Sequence, residues 1–457
     1  MKKLLKLELS NINLSSKMIN KEQISAKLAK YNLRELSFST RFQIRQDGLI
    51  SGLDFLMGFF SMASGGYNTL LAWAQEVGSF SGNLISPQAL QHKLQFRHID
   101  FVKNLLGQIL ADQLNTQQKR NKMGVFEGFK RVFLEDSSCF ALPSKLYDFF
   151  KGSTNKYGSS ATARVQLRLE LRSGQYTNLE LQSFRDNDQK FATDICQTLE
   201  QGDLVIRDMG YAVLDAFDEI DKKKAFFLSR LKFGVNLYDA QTGAEIDLLK
   251  LLRKLRHNGQ GQLDIEVLIG KKKKLPVRLM AAKVPAHVEQ QRKRKANKDR
   301  NVTANHSKKY MEFLGWTIMI TNVQSKIWTI KQALHAYSCR WYIEIVFKCW
   351  KSELNLAKYF SDKKSIIPSR AIITFYLLLI WVTLFYSNWY HFFMINIAQL
   401  FNRWVSPLKF AQFAKRNFSE LLCADDLSNF IPRVLRYACY DKRKTTTNMM
   451  KTLYLII

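Results

Sequence analysis

Apolar residues recur at helical intervals in LDFLMGFFSMA, residues 53–63, and in FVKNLLGQILADQL, residues 101–114. The pattern predicts a helical region over residues 1–118, read as an N-terminal DNA-binding domain, although ordinary bundle helices give the same pattern. Within it, Ser86-Pro87 reads as an N-cap followed by proline at the first helical position. The helix it opens, over 88–101, is amphipathic and carries Lys93, Arg97 and His98. Near Lys119 the period changes. RVFLED (131–136) is a short β-prone run ending in acid, and residues 163–184 alternate polar with apolar on both sides of Ser173-Gly174. That alternation predicts an antiparallel hairpin. A helical stretch, 188–201, and a second short β run ending in acid, DLVIRD (203–208), follow.

Strand, strand, strand, helix, strand is the skeleton of a ribonuclease-H-like core, so the predicted class is α/β, with a helical N-terminal domain and a helical C-terminal region. The first part of that core covers 119–222. Over 223–324 four strand-like runs, AFFLSRL, LDIEVLIG, LPVRLMAAKV and WTIMITNV, make a β-rich insertion split by KKKK at 271–274 and by QRKRKANKDR at 291–300. Residues 325–402 return to helix as the second part of the core, and 403–457 form a basic helical tail.

Charge adds the first functional clue. Lys and Arg total 69 against 39 for Asp and Glu, a formal charge of +30 in 457 residues. A polyanion is the expected partner of so basic a folded chain. Residues 271–310 alone hold 14 Lys or Arg against Glu289 and Asp299; such runs are usually solvated loops, but attached to a β-rich unit they point to a phosphate-facing lobe. The six cysteines form no CxxC pair, so neither a disulfide framework nor a zinc site follows, and a reducing cytoplasm fits. MKKLLKLELS starts like an export signal, but Lys6 and Glu8 interrupt its apolar run. From Ala371 to Asn402 there is no charged residue. Its most apolar part, 371–386, is short of the roughly 20 residues that span a bilayer. A buried core helix is therefore expected there, and no membrane partner.

The candidate chemistry lies in three acids. In extended RVFLED, Val132, Leu134 and Asp136 share a face, and in DLVIRD so do Leu204, Ile206 and Asp208. A carboxylate at the exit of a buried strand is held rigidly, as a metal site requires; alone, either aspartate suits a turn or a cap equally well. The third piece is YSCRWYIEIVFKCWK, residues 337–351. On one continuous helix, Tyr337, Arg340, Glu344, Lys348 and Lys351 fall within an arc of about 80°, with Cys339, Tyr342, Ile343, Val346, Cys349 and Trp350 opposite. Such a stripe suits surface i,i+4 ion pairs. It equally suits phosphoryl transfer, which needs carboxylates for divalent metal and cations with a hydroxyl to grip phosphates.

The spacing of Tyr337, Arg340, Glu344 and Lys351 resembles the Tyr-Arg-Glu-Lys signature of the insertion-sequence-four family of bacterial transposases, of the DDE class. FLEDSSCFALP looks like the family's first-aspartate strand. GDLVIRDMGY looks like its second, including Gly210 and Tyr211 after the acid. The resemblance covers roughly residues 80–360. It implies that Asp136, Asp208 and Glu344 are catalytic and bind two Mg²⁺ or Mn²⁺ ions, and that Tyr337, Arg340 and Lys351 contact DNA; Lys348, on the same stripe, is a further DNA-contact candidate. By the same resemblance Arg230 and Lys232 lie near DNA. Trp316 either holds a flipped base when the transposon end closes into a hairpin or packs in a strand core.

The implied activity is cut-and-paste DNA transposition. Its partners would be terminal inverted repeats and target duplex, handled by a homodimer in a synaptic complex in the bacterial cytoplasm, at the nucleoid. Rivals are a non-mobile metal-dependent nuclease on the same core, a DNA-binding protein that no longer cuts, and a membrane protein built around 371–402.

Overall fold

The run containing the first candidate aspartate forms a strand longer than its sequence signature. Strand β1 spans Val132–Leu142, so Asp136 sits in mid-strand and not at the exit. A computed structural model describes residues 28–65, 67, 69–115, 124–155, 158–186, 191–193, 195–208, 210, 213–300, 305–354 and 367–441. The N-terminal decapeptide, Lys119 and Tyr211 lie outside these residues. The other strands are β2 (Lys151–Asn155), β3 (Gly158–Glu170), β4 (Tyr176–Ser183), β5 (Leu204–Arg207), β6 (Phe226–Arg230), β7 (Leu237–Asp239), β8 (Gln262–Ile269), β9 (Leu275–Lys283) and β10 (Trp316–Thr321).

The expected hairpin is β3 with β4, and its turn contains Gly174 at φ +65°, a left-handed backbone that glycine adopts without strain. Neighbouring strands run β4-β3-β1-β5-β6, the first three antiparallel and β1, β5 and β6 parallel. This is the order and direction of a ribonuclease-H-like sheet. Strand β2, which the sequence pattern did not reveal, pairs with the start of β3. Beyond β6 the sheet continues antiparallel through β10, β9, β8 and β7. Of the four runs expected to form the β-rich insertion, the first, β6, is thus the fifth strand of the core, and the others extend the core sheet, β10 satisfying the backbone edge that β6 would otherwise expose.

Alternation along these strands places Phe133, Val205, Phe227, Leu279, Ile318 and Ile320 in one apolar cluster. The helix Leu214–Lys222 covers it with Ala216, Phe217 and Ile220, and Phe217 stacks on Phe227 at 4.3 Å. The polylysine run turns between β8 and β9, where Lys273 pairs with Asp215 and Asp218. QRKRKANKDR lies mostly in a helix, Ala286–Lys298, that buries none of its residues.

Described residues 110–351 form one compact unit around this sheet; 28–109, 352–354 and 367–441 form another. The second unit is helical. Ser86 caps a helix as expected, its side chain accepting from Ala89 N, but that helix ends at His92 and a new one begins at Ile99. Helices Gly52–Ser64 and Leu70–Ser81 approach so closely that a β-carbon at Gly58 would lie 2.4 Å from Val77 Cγ2. The apolar stretch belongs to this unit: Pro368–Phe401 is one 34-residue helical run, interrupted by a π-helical segment at Val382–Tyr386. By length and composition it is sufficient to cross a membrane, so the expectation that it is too short is corrected. Within the protein 83% of its most apolar window is buried, by contacts such as Phe60–Phe385 and Tyr390–Phe410, as in a core helix. The core part expected over 325–402 is accordingly divided, with 367–402 packing among the N-terminal helices.

Buried His98 lies edge-on to Phe42, and its pKa is lowered to about 4, chiefly by burial and then by the charges of Lys93 and Arg97. A histidine depressed in the fold contributes stability that is fully present above its unfolded pKa of about 6.5 and lost as pH falls toward 4. Replacing His98 by Gln should therefore flatten the loss of stability between pH 6.5 and 4, by an order of about 2 kcal/mol. Urea melts across that range test it. An unchanged pH dependence would mean that His98 titrates normally.

Candidate active site

Three chain segments bring the candidate acids together. Parallel pairing of β1 with β5 ends at Glu135 opposite Arg207, so Asp136 and Asp208 each follow the last shared rung. Asp208 is the first residue past its strand, as the sequence suggested. Glu344 comes from the helix Trp341–Ser352. All three side chains are accessible, at 18% for Asp136, 39% for Asp208 and 34% for Glu344.

They meet around Arg340. Its Nη1 lies 3.3 Å from Asp136 Oδ2, its Nη2 2.5 Å from Glu344 Oε1, and its Nε 3.9 Å from Asp208 Oδ1. Tyr337 donates its hydroxyl to Asp208 Oδ1 at 3.3 Å, and the Ser137 N–H donates to Asp136 Oδ1 at 2.8 Å. Burial raises the Asp136 carboxyl to about 6, and the charges of Asp208 and Glu344 push the same way, opposed by the Ser137 N–H and by Arg340. Burial likewise raises the Tyr337 phenol well above its ordinary value, so it is a donor at neutral pH.

The continuous helix expected over 337–351 is corrected. One helix, Ile330–Ser338, contains Tyr337; a tight turn at Cys339 and Arg340 follows, and the next helix starts at Trp341. Within the turn Arg340 N donates to Tyr337 O and Ile343 N to Arg340 O, bonds of i,i+3 type that overwind the chain. The expected apolar side is unaffected: Cys339, Tyr342, Ile343, Val346, Cys349 and Trp350 are all buried.

The remaining predicted residues divide. Lys348 and Lys351 are exposed on the Glu344 helix, and the Lys351 ammonium lies 5.1 Å from the centre of the Phe140 ring. Arg230 ends β6 close enough for its charge to act on Tyr337, and its buried Nε has no hydrogen-bond partner among the described residues. Lys232 is exposed just beyond. Of the two readings of Trp316, its surroundings match the strand-core one: it is 2% exposed, within the cluster under the sheet, and its carbonyl accepts from Arg292 at 3.0 Å.

Sequence reasoning passed over Trp341. It is 55% exposed, and its ring centre lies 6.0 Å from the guanidinium carbon of Arg340, the residue round which the acids gather. The signal was present, because helical stepping puts position 341 about 40° from Tyr337, on the charged side.

Chemically, the acids are an all-oxygen, hard donor set that suits Mg²⁺ or Mn²⁺ better than softer metals. Among the described residues no three acidic, histidine or cysteine side chains stand at mutual metal-ligating separation. The carboxylates are gathered round a guanidinium, which a divalent cation would replace as their shared positive charge.

Comparison with known proteins gives a consistent family. A family model described as a transposase DDE domain matches residues 127–365, which include all three acids. The transposase for insertion sequence element IS231B of Bacillus thuringiensis subsp. berliner is 28% identical over 301 residues, 62% of each chain. The transposase for IS1151 of Clostridium perfringens is 29% identical over 332 residues, 68% of each. The chain therefore spans less than two thirds of the length of the first of these relatives. A cryo-EM structure of a piggyBac transposase synaptic complex with hairpin DNA aligns with 94% of this chain and 88% of its own, at TM-score 0.42 and 8% identity.

Proposed function

This chain belongs to the transposase DDE domain family, and we propose that it cuts the ends of an insertion sequence and joins them to target DNA. The observation that carries the proposal is the gathering of Asp136, Asp208 and Glu344 from two adjacent parallel strands and one helix around Arg340. Two Mg²⁺ or Mn²⁺ ions held by these carboxylates would supply activation of the attacking oxygen and stabilisation of the leaving oxygen.

The chain's own groups do the rest. The Ser137 N–H fixes the orientation of Asp136, and the Tyr337 hydroxyl that of Asp208. Arg340 has a planar fork that matches a phosphate bidentately. Lys348, Lys351, Arg230 and Lys232 extend the positive surface along a duplex, and exposed Trp341 offers a face on which an unpaired base can stack. Two copies would act together on paired ends, in the bacterial cytoplasm at the nucleoid.

Because Trp316 is buried, the residue expected to support a hairpin route is not at the surface. A hairpin route would then draw on exposed Trp341 to hold an unpaired base; the second reading, resting on the burial of Trp316, is release of ends without a hairpin, or a metal-dependent nuclease that joins nothing. The purified chain, Mg²⁺ and duplexes carrying the inverted repeats that flank its coding region separate these outcomes. Transposition requires 3′-hydroxyl ends followed by their covalent joining to a plasmid. Cleavage without joining would leave a nuclease, and no cleavage under any divalent ion would overturn the proposal.

Arg340→Ala and Lys351→Ala should each weaken binding of end DNA and lower the slope of log affinity against log salt by about 1, as loss of one phosphate contact does. Binding measured from 50 to 200 mM salt is the check. An unaltered slope would return these residues to ion pairing within the protein.

A further inference from the structure

Behind the candidate acids, on the opposite face of the same strands, lies a cluster of charge for which the chemistry above has no use. Glu135, Arg168 and Arg207 are fully buried. Glu135 faces Arg168 across the antiparallel β1–β3 pair and Arg207 across the parallel β1–β5 pair. Arg168 holds Glu135 Oε1 through Nε at 2.6 Å and Nη2 at 2.5 Å, while Arg207 Nε makes an ion pair with Oε2 at 2.5 Å. Both arginines are also tied to the segment between β4 and β5. Arg207 Nη2 donates to Ala192 O at 3.0 Å and Cys196 Sγ at 3.3 Å, and Arg168 Nη1 donates to Thr198 Oγ1 at 2.5 Å.

Stability does not account for such a cluster, because apolar side chains of similar volume usually serve a core at least as well as buried ion pairs do. Its place in the chain does. Glu135 immediately precedes Asp136, and Arg207 immediately precedes Asp208. Strand β5 has four residues, and its ladder with β1 ends at this pair, so the Glu135–Arg207 contact is the final tie between the strands before both chains present an aspartate on the other face. A slip of one residue in that register would turn an aspartate from the site into the core.

We propose that Glu135, Arg168 and Arg207 are positioning residues, a buried charge clamp that fixes the separation of Asp136 and Asp208 for holding divalent cations. The clamp rests on the assignment of those aspartates as the cation-holding pair. It touches neither DNA nor cation.

The test uses terbium, a hard-cation probe whose luminescence tryptophan sensitises, on the full chain alongside thermal melting and affinity for end DNA. Arg207→Lys keeps the charge but loses the forked contacts to Ala192 and Cys196. It should weaken terbium binding by about 10-fold, toward the lower end for partners lying behind metal ligands, with DNA affinity unchanged. Arg168→Lys, on the strand that bears neither aspartate, should have the smaller effect. The triple variant Glu135→Leu, Arg168→Met, Arg207→Met removes all three charges together. It should melt at or above wild type while binding terbium about 10–100-fold more weakly. Wild-type terbium affinity in Arg207→Lys would overturn the clamp, whether or not the triple variant folds. Asp136→Asn serves as the reference: if it too leaves terbium binding unaltered, the assignment of the aspartates falls, and the clamp with it.

Discussion

Asp136→Asn is expected to lower Mg²⁺-dependent cleavage of end DNA by about a thousandfold or more, the rate equivalent of roughly 4 kcal/mol. The same variant should make the metal-free protein more stable at pH 7. Asparagine keeps the size of the side chain and an oxygen for the Ser137 N–H, but it has no charge for a cation. In the fold, burial holds the Asp136 carboxyl at about 6, well above the usual aspartate value. A carboxyl raised in this way contributes stability that is present below its unfolded pKa of about 3.9 and lost as pH rises toward 6. At pH 7 the ionised aspartate therefore strains the fold, and its removal should raise stability by an order of 1–3 kcal/mol. Melting without divalent ion and single-turnover cleavage with it measure the two effects on one sample. Cleavage at the wild-type rate would sink the assignment. A variant that lost activity and stability together would instead mark Asp136 as structural. Asp208→Asn and Glu344→Gln should match it in activity, with end binding retained in all three.

Trp316→Ala should act on the fold and not on the DNA product. A buried tryptophan truncated to alanine costs about 3–5 kcal/mol, from lost transfer energy and the cavity left behind. Trp316 begins β10, the strand that joins the insertion to β6, and its neighbours in the cluster come from β9 and from the helix Lys308–Phe313. The variant should melt well below wild type, and whatever protein stays folded should nick and process ends in wild-type proportion. A variant of normal stability that nicks but forms no hairpin would restore the DNA-facing role.

The candidate site was legible because each of its parts is local. Two short β runs ending in acid, and a glutamate spaced from Tyr337, Arg340 and Lys351, are visible within windows of at most fifteen residues. The burial of Cys339, Tyr342, Ile343, Val346, Cys349 and Trp350 follows the helical period, even though the helix breaks at Arg340. The break was not legible, since apolar spacing over so few residues differs little between one helix and two joined by an overwound turn. The clamp had a signal that went unused: Glu135 and Arg207 are charges at positions that strand alternation assigns to the core face. Trp316 and Trp341 show the limit from the other side. Both suit stacking and packing alike, and only burial separates them.

By itself, the sequence determined the ribonuclease-H-like class and most of the core strands, and it singled out three candidate acids, because periodicity and strand-end chemistry depend on neighbours along the chain. The tertiary structure alone decided what depends on distant pairing. It made the insertion an extension of the core sheet and covered the 368–401 helix with protein. It also buried Trp316 and seated Arg340 among Asp136, Asp208 and Glu344. Contacts between residues as far apart as 136 and 340 are set by which apolar faces and strand edges find each other, and that is not written in any local stretch of the chain.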